Sequence, residues 1–448
     1  NQPEGQNQPE GQNQPEGQTR LTSNTVKKPA PTQQPTNQKD GLKAWIVFLG
    51  GGLAYCMAMC ARTSFGVAVP WADQRFGLSS AQLAVFIMGQ LAVYAAAQIP
   101  VGLLLDRYGS RKVLTCGLII VGLGQLALAQ AHTFPTALAA RALVGAGDAT
   151  AFIGVVRFLP AWFSASRVPL LTQITNVGGQ IGQVISAFPV VWWLHDYGWS
   201  TSFNLVALAV FMAAVSTAVL VRDDPSGAKT PVAQTESVRR SMGAVLRNRA
   251  TWVGWMIHAT AAFPFNVIAL MWGSAWMRQG MHLSDTVSAT MLSLEGLFLV
   301  AAGIPAGIIS GRWPRRRLQT CLAAYAISVL TWVVGLALSP SAAAALIVII
   351  GAAIASCVGA LGFDIVREYT QRSRWGVAIG TVNTGGFVSS IIAVELVGLI
   401  LDLRGGARTG SDFIVAFGAM GVIIAVLVVS LLIVSRRLHP QVVIPQES

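Results

Sequence analysis

The chain has 448 residues, of which 53% are hydrophobic and 11% charged, and its formal net charge is +12. A soluble protein carries about 25% charged residues, so this composition excludes an ordinary soluble domain and indicates a chain that crosses a membrane many times. The basic residues fall mainly in alternate loops between apolar segments, a pattern that sets topology in a membrane. We therefore expect a lipid bilayer around this protein and no nucleic-acid partner.

The first 42 residues differ in kind from the rest. The hexapeptide NQPEGQ occurs three times and is followed by a stretch rich in Pro, Thr, Gln and Lys. This segment has no apolar face that would drive folding, so 1–42 is predicted to be a disordered tail. The five cysteines lie within or beside apolar segments, which favours buried positions over disulfides. No cysteine has histidine partners at metal-site spacing, and we expect no metal or other cofactor.

Twelve segments contain the roughly 20 mostly apolar residues that a membrane-spanning helix needs. The hydrophilic stretch 222–250 separates them into two groups of six, which predicts an all-α membrane protein with bundles at 43–221 and 251–436. The loops that hold most of the Arg and Lys alternate with poorer ones, so the linker 222–250, the C-terminal tail 437–448 and both termini are predicted to be cytoplasmic. The predicted spans, numbered 1 to 12, are 43–69, 80–104, 112–132, 136–160, 168–194, 201–221, 251–277, 285–311, 317–338, 341–366, 376–401 and 411–435.

The two groups of spans repeat one another. The passage IPVGLLLDRYGSRKVLTC at 99–116 returns as IPAGIISGRWPRRRLQTC at 304–321, with Ile, Pro, Gly, Arg, Thr and Cys in register. Further along, the Asn-x-Gly-Gly at 176–179 in span 5 matches that at 383–386 in span 11. Polar residues recur at matched positions, so chance similarity between apolar helices does not explain the repeat. It predicts two pseudo-symmetric six-helix bundles, an arrangement whose usual use is transport.

The loop between spans 2 and 3 carries a recognisable motif. Its order G-x-x-x-D-R-x-G-x-R-K at 102–112 resembles the signature loop of the major facilitator superfamily, and R-x-x-x-G-x-G at 141–147 resembles that family's second motif. The resemblance implies two six-helix bundles around a central cavity, with rocking that gives alternating access. It also implies a conformational latch, and the residues assigned to it are Gly102, Asp106, Arg107, Gly109, Arg111, Arg141 and Arg157.

The chemistry of Asp106 agrees with a latch. A carboxylate at a helix end can accept hydrogen bonds from a neighbouring helix N-terminus and pair with an arginine such as Arg157. The alternative is that Arg107, Arg111 and Lys112 only set topology. In the second copy Gly311 stands where the acidic residue would be, so we expect the latch to be asymmetric.

Arg62 lies in the outer part of span 1, where a charge costs at least about 2.5–3.5 kcal/mol. In the organic anion/proton symporter and nitrate/nitrite branches of the family, an arginine in the first spans faces the cavity and holds an anion. A guanidinium suits that role because it stays charged and matches a carboxylate or nitrate in shape. The alternative is that Arg62 reaches out to the membrane interface.

Two acidic residues are candidates for proton coupling. Asp148 shares one face of span 4 with Arg141, seven residues earlier, so the pair is either a coupling site or a structural ion pair. Glu295 lies near the middle of span 8 with no basic residue in its own helix. Burial favours its protonated form, which fits a proton carrier as well as a permanently neutral, hydrogen-bonded acid.

Span 5 carries an amide stripe, because its Gln and Asn side chains recur at helical spacing. The matching amide in span 11 is Asn383, and polar residues of spans 2 and 7 complete a cavity lining. His258 in span 7 is expected to be a satisfied polar group. The candidate substrate-binding residues are therefore Arg62, Tyr94, Gln173, Asn176, Gln180, Asn266 and Asn383.

These features predict a secondary transporter that moves a small anionic metabolite, with protons, across a bacterial inner membrane as a monomer. A nitrate/nitrite porter or a uniport-type facilitator is the alternative within the same class. A receptor, or a subunit that needs a partner, is the alternative from another class. The membrane carboxylates and histidines form no nucleophile–base or metal constellation, so an enzyme is not expected.

Overall fold

The computed structural model describes residues 39–77, 80–225, 237–405 and 408–438. Within these ranges the regular elements are all helices, with no β-strand. The predicted disordered tail, apart from 39–42, and the C-terminal tail beyond 438 lie outside the described residues. The spans belong to one compact unit, and the exact domain boundaries inside it remain a prediction.

The described residues contain the twelve predicted spans, which confirms the fold class. One helical run, Val168–Leu220, is broken at Gly198 (φ 72°, ψ −176°) and so supplies both span 5 and span 6. Two short helices, Val69–Phe76 and Val238–Arg247, lie outside the spans. Spans 1 to 12 are Leu42–Val67, Ser80–Tyr108, Ser110–Gln130, Phe134–Trp162, 168–197, 199–220, 249–280, Asp285–Arg312, Arg317–Ala337, Ala342–Glu368, Trp375–Leu403 and Gly410–Ser435.

Several spans begin at a polar residue that caps the helix. The Ser284 side chain accepts a hydrogen bond from the N–H of Val287 (3.3 Å), and Ser341 accepts one from Ala344 (3.2 Å). Such a cap satisfies a backbone donor that the helix itself leaves unpaired and contributes about 1 kcal/mol. These caps explain why spans 8 and 10 begin where the apolar sequence begins.

Small residues allow neighbouring spans to approach closely. A Cβ added to Gly147 would meet the backbone of Gly117 and the N atom of Val121, so spans 3 and 4 touch almost backbone to backbone. In the second half, a Cβ added to Gly335 would lie 2.9 Å from the carbonyl oxygen of Ala344, so spans 9 and 10 pack in the same way. Membrane helices commonly associate through such glycines.

Spans 5 and 7 are interrupted by π-helical turns. The first turn, Ser186–Val190, contains Pro189, and the second, Val267–Trp272, follows Pro264 closely. Proline removes a backbone hydrogen bond, and π-turns often occur at functional positions.

The two halves of the protein pack against each other through two pairs of spans. Span 2 packs on span 11 and span 5 packs on span 8. The space enclosed by these spans is the centre of the protein.

Candidate functional site

A polar cavity of about 170 Å³ lies between the two halves of the protein. Its wall is built by spans 1, 2, 4, 5, 7, 8, 10 and 11 and mixes amide, aromatic and charged side chains. A concave site with a few convergent polar groups is the usual form of a small-molecule site. The structure brings all seven candidate substrate-binding residues into this one wall: Arg62, Tyr94, Gln173, Asn176, Gln180, Asn266 and Asn383.

Arg62 turns inward rather than towards the membrane interface. Its Nε donates to Oδ2 of Asp148 at 2.5 Å, and its guanidinium carbon lies 4.2 Å from the centre of the Tyr94 ring. The side chain is 16% exposed, and its Nη2 is buried without a hydrogen-bond partner among the described residues. Arg62 therefore places a fixed positive charge with an incomplete set of hydrogen bonds in the cavity wall, which is the chemistry that holds a carboxylate.

The two candidate proton-coupling acids occupy different surroundings. Asp148 is fully buried behind Arg62, and its Oδ1 has no partner among the described residues. Glu295 is also buried, and within the described chain neither of its carboxyl oxygens has a partner. Glu295 lies outside the cavity wall, one helical turn from the lining residue Leu299. Only Asp148 is therefore linked directly to the arginine of the cavity.

Amide side chains connect the two halves around the cavity. Asn383 in span 11 donates to Oε1 of Gln98 in span 2 at 2.7 Å. Gln173 in span 5 donates to the carbonyl oxygen of Cys357 in span 10 at 2.7 Å. Asn383 and Gln173 therefore link the two halves as well as lining the cavity.

His258 and four aromatic residues also line the cavity, although the sequence interpretation did not include them. His258 lies with Nδ1 at 3.3 Å from the carbonyl oxygen of Gly359, which fits the expected satisfied polar group, yet its ring also faces the cavity. Aromatic residues in apolar spans give no sequence signal that separates a cavity wall from a core. The lining aromatics besides Tyr94 are Tyr55, Phe152, Phe363 and Phe387.

A second cluster joins the two halves at the end of spans 2 and 11 where the basic loops lie. Asp106 accepts hydrogen bonds from the N–H groups of Gly376 (2.7 Å) and Val377 (2.9 Å), at the start of span 11, and from Nε of Arg157 (3.1 Å). A Cβ on Gly102 would overlap the carbonyl group of Gly376, so the two spans cross in close contact here. The carboxylate is thus held by a helix N-terminus and an arginine at once.

The other residues of the signature loop lie within the first half. Gly109 has φ 82°, and the Asp223 carboxylate next to it accepts from the N–H groups of Ser110 and Arg111. Arg111 also donates from Nε to the carbonyl oxygen of Ala218 at 2.7 Å. Arg107 is exposed on the surface. The structure therefore groups Gly102, Asp106 and Arg157 at the crossing and leaves the rest of the loop as a structural turn.

Sequence comparison agrees with this architecture. A family model described as the Major Facilitator Superfamily matches residues 51–363. The chain belongs to the Major Facilitator Superfamily. It is a multi-pass membrane transporter and not an enzyme.

Several curated relatives match the chain over most of their length, and two of them are sugar-acid transporters of one organism. The probable galactarate/D-glucarate transporter GudP of Bacillus subtilis is 23% identical over 426 residues, 87% of this chain and 92% of that protein. The hexuronate transporter of Bacillus subtilis is 22% identical over 402 residues, 84% of this chain and 92% of that protein. The nitrate/nitrite transporter NrtP of Picosynechococcus sp. is 30% identical, but only over 151 residues, 32% of this chain and 28% of that protein.

A solved structure supports the same fold. The E. coli fucose:proton symporter FucP superposes with a TM-score of 0.67 at 13% sequence identity, covering 88% of this chain and 99% of that one. At this identity the likeness concerns the architecture of the two bundles and not their cargo.

The second copy of the superfamily loop is built differently from the first. A Cβ on Gly311 would overlap the carbonyl oxygen of Ser166 in the opposite half, so no side chain fits where the first copy has Asp106. The carboxylate is instead on span 10, where Asp364 pairs with Arg367 and accepts from the hydroxyl of Ser310 at 2.7 Å. This network closes within the second half, so the charged contact between halves occurs in the first copy only.

Arg141, in the superfamily's second motif, lies with Arg62 and not with Asp106. Its Nη2 donates to the carbonyl oxygen of Arg62 at 2.8 Å and to Oε1 of Gln90, and its Nη1 donates to the carbonyl oxygen of Ala61 at 3.3 Å. The side chain is 2% exposed. Arg141 therefore holds the backbone of span 1 at Ala61 and Arg62, where the Arg62 side chain leaves the helix to enter the cavity wall.

Removing this buried arginine is expected to destabilise the protein. In Arg141→Met, three oxygen acceptors each lose one donor and Asp148 loses a nearby positive charge, a type of change that costs about 3–5 kcal/mol. We expect a large fall in the melting temperature of the detergent-solubilised protein, while the exposed control Arg315→Met melts like the wild type. Equal melting temperatures for the two variants would show that Arg141 has no structural role.

Proposed function

We propose that this protein is a secondary active transporter that carries a small organic anion together with a proton. The observation that carries the proposal is the position of the Arg62 guanidinium in the wall of the central cavity, where Asp148 and Tyr94 hold it. The cavity amides, including Asn383 and Gln173, would orient the rest of the substrate. The cargoes named for GudP and for the hexuronate transporter of Bacillus subtilis are sugar acids, which belong to the same chemical class.

Proton coupling follows from competition for Arg62. Asp148 and a substrate carboxylate are both anions, and both need the same guanidinium. Two carboxylates close together cannot both stay ionised at low cost, so a bound substrate favours a proton on Asp148. Proton and anion then bind together, as a symporter requires. Glu295 is the alternative proton carrier, and it would act without contact to Arg62.

Alternating access in this proposal uses the crossing at Gly102 and Gly376. The basic loops place that crossing on the cytoplasmic side by the positive-inside rule, with both termini on the same side. The bonds from Asp106 to the start of span 11 hold this side closed, and they break when the halves rock apart. We place the protein in a bacterial inner membrane as a monomer, since one chain encloses the whole cavity.

Nitrate transport receives less support from the cavity. Arg62 is the only lysine or arginine in the described wall, and the second half contributes His258 where a second arginine would hold a small inorganic anion. Nitrate has so few atoms that its binding makes no use of the cavity amides and aromatic rings, whereas a larger organic anion uses them.

A stabilisation screen on the purified protein tests the proposal. D-Gluconate, D-glucarate, D-glucuronate, nitrate and the uncharged D-glucitol would each be added in a thermal-shift titration. A ligand at about 100 times its Kd stabilises the folded state by about 2.7 kcal/mol, so sugar acids should raise the melting temperature with a saturable dose dependence. A shift with nitrate alone would contradict the organic-anion assignment, and no shift with any anion would favour the receptor or partner-subunit reading.

A further inference from the structure

We propose that the cavity selects a monoanion, a single carboxylate on an uncharged hydroxylated carbon chain, and discriminates against the dicarboxylate of the same length. This inference rests on the proposed function and narrows its substrate class. It depends on the distribution of charge around the cavity, which differs between the two halves of the protein.

The first half brings one guanidinium group, that of Arg62, to the wall of the cavity. The buried cluster contains two guanidinium groups, Arg62 and Arg141, and one carboxylate, Asp148. Arg141 lies outside the cavity wall, and its Nη donors are directed to two main-chain carbonyls and to Gln90. Arg62 retains the buried, unpaired Nη2. One substrate carboxylate can pair with Arg62, and the described wall has no second lysine or arginine for another.

The second half offers a substrate no fixed positive charge. Its described contribution to the wall contains the amides Asn266 and Asn383, the hydroxyl of Ser356 and the imidazole of His258, without a lysine or arginine. A second carboxylate would have to lie among these groups, out of water and unpaired. Burying an unpaired charge costs far more than its hydrogen bonds to neutral groups return.

The aromatic rings of the wall add to this preference. Phe363 and Phe387 line the second half of the cavity, and the Phe387 ring centre lies 4.6 Å from that of Tyr94. The face of an aromatic ring carries partial negative charge, so it accepts C–H groups and cations and repels a carboxylate. Hydroxylated carbons suit this wall, because their C–H groups can lie on the rings while their hydroxyls bond to the amides.

Three six-carbon compounds that differ only in the number of carboxylates test the inference on the wild-type protein. D-Glucitol has none, D-gluconate has one and D-glucarate has two, and each would be titrated by isothermal calorimetry at neutral pH. We expect D-gluconate to bind at least about tenfold more tightly than D-glucarate, a difference of about 1.4 kcal/mol, and D-glucitol to show no measurable binding. D-Galactonate and galactarate would be compared in the same way, so that hydroxyl stereochemistry does not decide the result.

A gain-of-function variant provides the second arm. Asn266→Lys adds a cation to the second half, and Asn266→Met, of similar length and uncharged, is its matched control. We expect the lysine variant to bind D-glucarate at least about tenfold more tightly than the methionine variant does.

The outcomes separate this inference from the proposed function. Binding of D-glucarate or galactarate as tightly as its monoanion overturns monoanion selection and leaves organic-anion transport in place. Binding of D-glucitol as tightly as D-gluconate contradicts both proposals, because it shows that Arg62 does not select a charge.

Discussion

Replacing Arg62 by glutamine is expected to weaken sugar-acid binding strongly while leaving the protein folded. Glutamine keeps a hydrogen-bond donor but removes the fixed charge, and a hydrogen bond to a charged group is worth about 1.5–3 kcal/mol. Loss of that bond and of the charge that balances the substrate should weaken binding by about 100-fold. The measurement is the Kd for the tightest-binding sugar acid, with the exposed Arg436→Gln as the control that keeps wild-type affinity.

Two further variants make the Arg62 result interpretable. Arg62→Lys keeps the positive charge but loses the planar fork, so we expect an affinity between those of the wild type and the glutamine variant. Arg62→Gln also leaves Asp148 buried beside Arg141 alone, so the double variant Arg62→Gln with Asp148→Asn removes that charge and protects the fold. If the single variant bound the sugar acid as tightly as wild type, Arg62 would lie outside the binding site.

Replacing Asp106 by asparagine is expected to release the start of span 11. Asparagine has one acceptor oxygen and no charge, so it cannot hold both the Gly376 and Val377 amides and also pair with Arg157. We expect the amides at the start of span 11 to exchange with deuterium faster than in wild type. Loss of bonds to a charged group, at about 1.5–3 kcal/mol, corresponds to an acceleration of at least about tenfold if exchange requires this crossing to open.

The chain supplies a matched control for this experiment. Asp223 also accepts from two consecutive backbone amides, those of Ser110 and Arg111, but it caps span 3 within the first half. Asp223→Asn should speed exchange at the start of span 3 and leave the start of span 11 unchanged. Equal exchange at Gly376 and Val377 in Asp106→Asn and wild type would show that the carboxylate does not hold the crossing closed.

The fold was predictable because hydropathy and the internal repeat act over long stretches of sequence. Twenty apolar residues suffice to define a span, and the matched passages at 99–116 and 304–321 define the pseudo-symmetry without knowledge of any contact. The sequence shows the glycines, but it does not show which of them lie where two spans cross in close contact. The repeat shows that Gly311 replaces an acidic residue, and the structure adds the reason, which is the Ser166 carbonyl oxygen against it.

The cavity was predictable where several polar residues share one helix face. The stripe of Gln173, Asn176 and Gln180 shows its direction by its own spacing, and all three reach the cavity wall. A single charged residue does not show in which direction its side chain points, because the rotation of its helix is set by neighbouring spans. Arg141 could therefore be grouped with the latch from its motif, although its side chain lies against the span 1 backbone. In the same way, the sequence does not show that Glu295 lies one helical turn beyond the cavity wall.

Uptake into proteoliposomes tests the central claim, that an organic anion held by Arg62 crosses the membrane with a proton. The tightest-binding sugar acid would be supplied in labelled form outside vesicles whose interior is either more alkaline than the outside or at the same pH. We predict that the pH gradient drives accumulation, that a protonophore removes it, and that Asp148→Asn transports the substrate without responding to the gradient. Uptake that is equal with and without the gradient in the wild type would contradict proton symport, and absence of uptake in folded protein would contradict transport of that anion.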